Sequence, residues 1–281
     1  MRENPVILLT GATDGLGRAL ADRLASSGAR LILHGRDAER LATVADEIAA
    51  SGADRPRAVL ADLADLGQVA RLAEDVASMT DRLDVLINNA GIGSSELDGH
   101  DRRTSADGYE LRFAVNYLAG FRLTMGLIPR MRAARAADGP ARIVLVASLG
   151  QQALDFGDLM LRHGYSGQRA YNQSKLAQIM FGMELAHKLP ASEITVNSLH
   201  PSTYMPTKMV LSDGLDPIDT LEAGVDATAR LAIDPALEGK TGRFYDRQRE
   251  AQADEQAYDP VARRELWQHS LELTRIPDPF S

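Results

Sequence analysis

Short runs of β-branched and aliphatic residues alternate along the chain with longer stretches whose apolar positions recur every three or four residues. The runs are VILLT (6–10), RLILHG (30–35), RAVLADL (57–63), LDVLINNAG (83–91), ARIVLVAS (141–148), ITVNSLHP (194–201) and GRFYD (242–246). Between them, stretches such as GRALADRLASSGA, DAERLATVADEIAASG and DLGQVARLAEDVASMT set an apolar stripe against a charged face, the period of a helix lying on a sheet. Strands that are apolar at nearly every position are buried on both faces. The alternation therefore predicts a parallel sheet of about seven strands with helices on both sides. Right-handed crossovers make that sheet doubly wound: an α/β, Rossmann-type fold forming a single domain over residues 1–281. Ligands of such sheets bind beyond the carboxyl ends of the strands.

Two segments break the alternation, LGQQALDFGDLMLRHGYSGQ (149–168) and PSTYMPTKMVLSDGLDPIDT (201–220). Long irregular connections in a compact domain usually carry function, so both are expected to border a ligand.

Composition narrows the partners. The chain of 281 residues is 44% hydrophobic and 25% charged, with a formal net charge of -8. That acidic balance argues against a nucleic-acid partner. The Arg-rich piece PRMRAARAADGPAR (129–142) reads as an exposed helix end and loop. There is no cysteine, which excludes disulfides and thiolate chemistry. No apolar run approaches the roughly twenty residues that span a bilayer. The first residues, MRENPVILLTGATDG, lead from a short apolar run straight into a glycine-rich turn, unlike a signal peptide. A soluble, cytoplasmic chain with no membrane partner is expected. His34, His163 and His200 have no carboxylate at metal-ligand or triad spacing, so they are read as structural and no metal is expected.

The first strand runs into TGATDGLG (10–17), whose glycines are Gly11, Gly15 and Gly17. Gly11 permits a tight turn, Gly15 lets backbone approach a diphosphate, and Gly17 lets the next helix pack closely. The helix N-terminus supplies N–H groups and partial positive charge. Thr13, Asp14 and Leu16 complete this turn, which is expected to bind a dinucleotide. At the second strand end, Gly35 leaves room for a 2′-phosphate and the Arg36 guanidinium can hold it, so NADP(H) is favoured over NAD(H). Asp14 is a counter-signal, and Asp37 follows as a candidate helix cap. After the third strand, Asp62 and Leu63 are placed to bond adenine, with a helix cap as the other reading of Asp62. Asn89, Ala90 and Gly91 of NNAG would pack against the adenosine ribose and tie neighbouring loops together.

TGATDGLG, NNAG, the Asn of AVNYLAGF, the Ser ending IVLVAS and YNQSK (171–175) occur in the order expected of short-chain dehydrogenases/reductases, and the chain resembles that family over essentially its whole length. DFGDL, AYNQSKLAQIMF and YDPVARRELWQHSLELT look like its retinol dehydrogenase and WW-domain oxidoreductase branch. The resemblance implies that Tyr171 is the general acid or base of hydride transfer between a carbonyl and an alcohol. Lys175, one turn on, lowers its pKa and bonds the nicotinamide ribose. It implies that Ser148 donates to the substrate oxygen and that Asn116 binds a water linking Lys175 to solvent. LHPSTYMPTKM (199–209) resembles the HPGxxxT segment, with Ser202 in place of Gly and Thr207 one residue late. Pro201 and an N–H near Thr203 are then expected at the nicotinamide carboxamide.

The irregular segments supply Leu149, Phe156, Tyr165, Tyr204 and Met205 as an apolar pocket. The substrate expected is a hydrophobic ketone or secondary alcohol. Two other readings stand: an NAD-dependent alcohol dehydrogenase, or a catalytically silent nucleotide-binding regulator. The apolar helix continuing from Tyr171 offers a surface for a homodimer or homotetramer.

Overall fold

The strands form one sheet, and the glycine turn, NNAG, Ser148 and the segment from Pro201 follow the carboxyl ends of its first, fourth, fifth and sixth strands. A computed structural model describes residues 3–94, 101–134, 139–212, 214 and 216–280. The strands are β1 (Val6–Thr10), β2 (Arg30–Gly35), β3 (Arg57–Leu60), β4 (Val85–Asn88), β5 (Ala141–Val146), β6 (Ile194–His200), β7 (Arg243–Asp246) and β8 (Arg249–Ala251). Their order is β3-β2-β1-β4-β5-β6-β7-β8. Neighbours from β3 to β7 pair in parallel, and β8 turns back antiparallel on β7. The seven expected runs are β1 to β7, and β8 adds a short antiparallel edge strand. It is three residues long, Arg-Glu-Ala, and mostly exposed, so it carries no apolar signal.

The helices are α1 (Gly15–Ser26), α2 (Ala38–Ala50), α3 (Leu66–Met79), α4 (Ala119–Ala133), α5 (Gly167–Lys188), α6 (Lys208–Ser212), α7 (Leu221–Ile233) and α8 (Pro260–Thr274). Side chains alternate across each strand, so one sheet makes two cores. Ile7 and Leu9 of β1 join Leu20, Leu24, Val44 and Leu231 beneath α1, α2 and α7. Val6 and Leu8 face the opposite way, toward the layer built by Val69, Leu127, Met180 and Leu266 of α3, α4, α5 and α8. Asp14, Asp37 and Asp65 cap α1, α2 and α3 by accepting backbone N–H bonds of the first turn.

α5 is apolar around most of its circumference, which suggested a second subunit. The structure gives that face a different cover, the chain's own α8. Trp267 of α8 lies 5.3 Å from the ring of Phe121 and 6.2 Å from that of Phe181. Tyr117 and Ser270 share a hydrogen bond of 2.5 Å, and Arg263 pairs with Glu184 at 3.3 Å. The expected homodimer or homotetramer surface on α5 is therefore already occupied. Residues 135–138 of the Arg-rich piece lie outside the described residues. Among the described residues no helix is long and apolar enough to cross a membrane.

Candidate active site

The glycine turn between β1 and α1 is shaped by contacts that no other residue permits. Gly11 and Gly15 take φ of 68° and 48°, the left-handed region. A Cβ at Gly17 would lie 2.0 Å from the Gly11 carbonyl oxygen, so the helix start presses directly on the turn. Asn89 locks the arrangement by donating to the carbonyls of Thr10 (2.8 Å) and Gly11 (3.2 Å). Thr10 Oγ1 in turn accepts the N–H groups of Asn89 and Ala90, joining the ends of β1 and β4 as NNAG predicted.

Beside this turn the cofactor argument changes its footing. Gly35 is not an open space: a Cβ there would meet the Thr13 methyl at 2.9 Å and Leu41 at 3.2 Å. Its smallness serves the packing of the glycine turn, which removes one of the two reasons for NADP(H). Arg36 stays exposed at the carboxyl end of β2. Arg40, which the sequence reading missed, lies one turn into α2 and donates to the Thr13 carbonyl (3.1 Å) and the Asp14 carboxylate (3.0 Å). That bond is the first cause holding the Asp14 carboxyl below its ordinary pKa. Asp37 is the cap of α2, as expected. Asp62 is not a helix cap, since Asp65 holds that position. Asp62 accepts the Ala64 N–H at 2.9 Å, and Leu63 is buried beside it.

Asn116 sits in a widened helical stretch, Phe113–Leu118, running into α4. A π turn spreads the helix where a side chain must reach across it. Its amide accepts the Ile92 N–H (2.8 Å) and donates to the Ile92 carbonyl (3.1 Å) and Ser174 Oγ (2.9 Å). Both amide N–H bonds are thus taken by protein atoms. They clamp the loop following Gly91 to α5. Ser174 is the other jaw of that clamp and donates to the Tyr171 carbonyl (2.7 Å).

Ser148 and Tyr171 converge. Both flank a single point beside Gly150, where a Cβ would lie 3.4 Å from Ser148 Oγ and 3.6 Å from Tyr171 Cε1. Ser148 Oγ accepts the Gly150 N–H at 3.0 Å, which leaves its hydroxyl proton to donate. The Lys175 Nζ lies 5.6 Å from the Tyr171 ring centre. It donates to the Val146 carbonyl (2.9 Å) and to Gln178 Oε1 (3.1 Å). Burial pushes this ammonium's pKa down to about 8. A Cβ on Gly91 would lie 3.5 Å from Nζ, so the glycine keeps the approach to the ammonium clear.

The two irregular segments are pinned more than predicted. Phe156 stacks on His269 of α8, ring centres 6.2 Å apart, and so belongs to the seam with that helix rather than to the crevice. The Tyr165 hydroxyl accepts from the buried Arg112 at 2.7 Å, and the same guanidinium donates to the carbonyls of Gly93 and Ser94. Tyr165 therefore anchors its segment to the loop after β4. Met205 fills the notch above Gly224, where a Cβ would lie 2.3 Å from its sulfur. Of the five expected pocket residues, Leu149 and Tyr204 remain exposed, 46% and 44%. In the second segment Pro201 is buried, and the Thr203 N–H donates to Asp219 (2.8 Å), which also pairs with Arg247. That N–H already has an acceptor, so it is not poised for a carboxamide.

His34 has the structural role expected. Its Nδ1 accepts the Gly11 N–H (3.4 Å) and its Nε2 donates to the Ala61 carbonyl (3.1 Å), tying β2 to the glycine turn. Burial lowers its pKa from 6.5 to about 4. The folded chain keeps it neutral while the unfolded chain protonates, so its stabilisation is complete above pH 6.5 and lost as pH falls toward 4. That difference is worth about 3 kcal/mol. Urea unfolding of His34→Asn should show a flatter stability slope between pH 4 and 7 than the unsubstituted chain. Equal slopes would remove His34 from the acid sensitivity.

No group of metal-ligating side chains occurs among the described residues. What the carboxyl edge does offer is a glycine cradle at a helix N-terminus, cations beside it, and a Tyr–Lys–Ser group facing it. A nicotinamide dinucleotide fits this cradle: Gly11, Gly15 and Gly17 would hold its diphosphate, and Lys175 its nicotinamide ribose. The molecule is thus a dinucleotide-binding oxidoreductase in architecture. Residues 5–216 match the sequence profile of short chain dehydrogenases, and the chain belongs to that family. Retinol dehydrogenase 13 of Mus musculus is 33% identical, covering 96% of this chain and 84% of its own. Polyprenol dehydrogenase of Mus musculus is 34% identical, covering 96% and 83%. A solved Mycobacterium paratuberculosis protein superposes with a TM-score of 0.76 at 28% identity, covering 98% of this chain and 95% of that one. The Pseudomonas aeruginosa RhlG/NADP complex gives 0.70 at 26%, covering 88% and 97%. The protein is an NAD(P)-dependent short-chain dehydrogenase/reductase.

Proposed function

We propose that the chain interconverts hydrophobic ketones and secondary alcohols with NADP(H), Tyr171 serving as general acid in reduction and general base in oxidation. The carrying observation is the convergence of Ser148 and Tyr171 on one point, with the buried Lys175 ammonium behind the phenol. When bound, the nicotinamide supplies or accepts the hydride. In reduction the Tyr171 hydroxyl gives its proton to the carbonyl oxygen, and the Ser148 hydroxyl donates to that oxygen as negative charge grows. Lys175 favours the phenolate left behind and bonds the nicotinamide ribose. Asn116 and Ser174 fix α5 against the loop after β4 and so hold the phenol in register.

For the cofactor, Arg36 and Arg40 form the cationic side of the glycine turn, and Arg40 already masks the Asp14 carboxylate that would repel a 2′-phosphate. The NADP complex of a structural neighbour agrees with this choice. For the substrate, Leu149 and Tyr204 present apolar surface at the mouth, and two relatives carry the names of dehydrogenases of apolar alcohols, retinol and polyprenol.

NADPH and NADH consumption over a panel of ketones and aldehydes tests the reading. Bulky apolar ketones with NADPH should react fastest, and small polar carbonyls outpacing them would refute the substrate class. Arg36→Ala should weaken NADPH binding by about tenfold or more, the loss of a charge-assisted bond, while leaving NADH nearly unchanged. Equal weakening of both would refute the choice of NADP(H).

A further inference from the structure

Lys175 is an ammonium taken almost wholly out of water, 5% exposed. Its direction is consequently set by the acceptors that surround it. An ammonium carries three N–H donors and no acceptor, so any amide bonded to it must present its oxygen. Two acceptors are in place: the Val146 carbonyl at the end of β5, and Gln178 Oε1 at 3.1 Å, one turn along the same face of α5. Gln178 is itself 3% exposed. It also lines a cavity of about 10 Å³ with Thr10, Asn88 and Asn116, at the polar ends of β1 and β4. With the side chain buried, its bond to the ammonium is shielded from competing water.

Granted the acid–base reading of Tyr171 and Lys175, we propose that Gln178 is a positioning residue: its amide oxygen aims the Lys175 ammonium so that the third N–H points into the crevice. A glutamine suits this task because it is neutral. It orients the cation without cancelling the charge that the phenol needs. A glutamate at the same place would draw the ammonium to itself and hold its proton more tightly. A leucine would remove one of its two buried acceptors and make the charged form harder to keep. The titratable groups facing Lys175 are Tyr171 on its own helix and His200 at the end of β6. His200 is held neutral by burial at working pH, so it adds no charge beside the ammonium.

The chain has four lysines, Lys175, Lys188, Lys208 and Lys240, which makes a direct measurement simple. With ε-13C-labelled lysine, the nucleotide-free protein should show one resonance titrating near 8, absent from Lys175→Met. In Gln178→Glu that titration should rise by about one unit or more, and in Gln178→Leu it should fall. The alkaline limb of the pH profile for NADPH-dependent carbonyl reduction should move in the same two directions. Where the leucine variant does not fold, Gln178→Asn, too short to reach, takes its place with the same expected direction. A Lys175 resonance that stays put in folded variants overturns the proposal. So does a titration that moves while the alkaline limb does not. Failure of the unsubstituted chain to reduce any carbonyl counts against the proposed function instead, and the nucleotide-free titration still decides whether Gln178 governs the ammonium.

Discussion

Tyr171→Phe should lower carbonyl reduction by about a thousandfold, within the range that one positioned acid or base contributes. The substitution removes a single oxygen and leaves the ring that packs beside Lys175, so the glycine turn and the nucleotide affinity should be unchanged. The size of the effect follows from what the site must do to a phenol. An isolated phenol has a pKa of about 10, and bringing it near 7 takes roughly 4 kcal/mol of preference for the phenolate. A solvated lysine supplies little of that. A buried one, with its charge unscreened by water, supplies far more. Lys175 meets the condition, since burial alone has already pushed its own pKa down to about 8. Stopped-flow reduction with saturating NADPH, together with NADPH dissociation constants, checks both halves. A variant retaining more than a tenth of the rate would show that the proton comes from elsewhere, and equal losses in rate and nucleotide affinity would make Tyr171 a binding residue. The same assay on the unsubstituted chain disposes of the silent-regulator reading, or revives it.

The sheet and the residues at its carboxyl edge were legible because their chemistry restricts the choice of residue. A strand buried on both faces has to be apolar throughout, and a turn at positive φ beside a helix start has to be glycine. Of the three aspartates that cap α1, α2 and α3, Asp37 alone was legible as a cap; Asp14 stood out only as a charge in the glycine turn, and Asp65, not the alternative Asp62, caps α3. What the sequence hid falls into two kinds. Some residues act through partners distant in the chain, such as Ser174 bonding Asn116 and Arg112 bonding Tyr165, and no local spacing announces such a pair. Others read as one thing and pack as another. Phe156 and Met205 looked like pocket lining because they are apolar residues in irregular segments. Each instead plugs a gap against α8 or α7, which is where a large apolar side chain gains most. Gly35 misled in the same way: a small residue at a ligand edge can be small for the sake of its protein neighbours.

Trp267→Ala should cost about 3–5 kcal/mol of stability, the range for truncating a large buried aromatic. Trp267 is 2% exposed and joins α8 to α4, α5 and the segment after α8. Its ring contacts Phe121 of α4 and Phe181 of α5, the Lys188 ammonium lies 4.8 Å from it, and its Nε1 donates to Asp278 at 3.0 Å. Beyond it Phe280 packs against the same ring at 5.9 Å, so Asp278 and Phe280 close over the cluster. Trp267→Phe retains the aromatic stacking but not the indole N–H or its volume, and should cost well under half as much. The two variants together separate packing from the Asp278 bond. Equilibrium urea unfolding gives both numbers, with circular dichroism and tryptophan-free fluorescence probes tested for coincidence. The consequence reaches the site, because α8 braces the same helix that carries Tyr171, Lys175 and Gln178. A loss of less than 1 kcal/mol in Trp267→Ala would mean that α8 rests on α5 without bracing it, and the face expected for a second subunit would be open again.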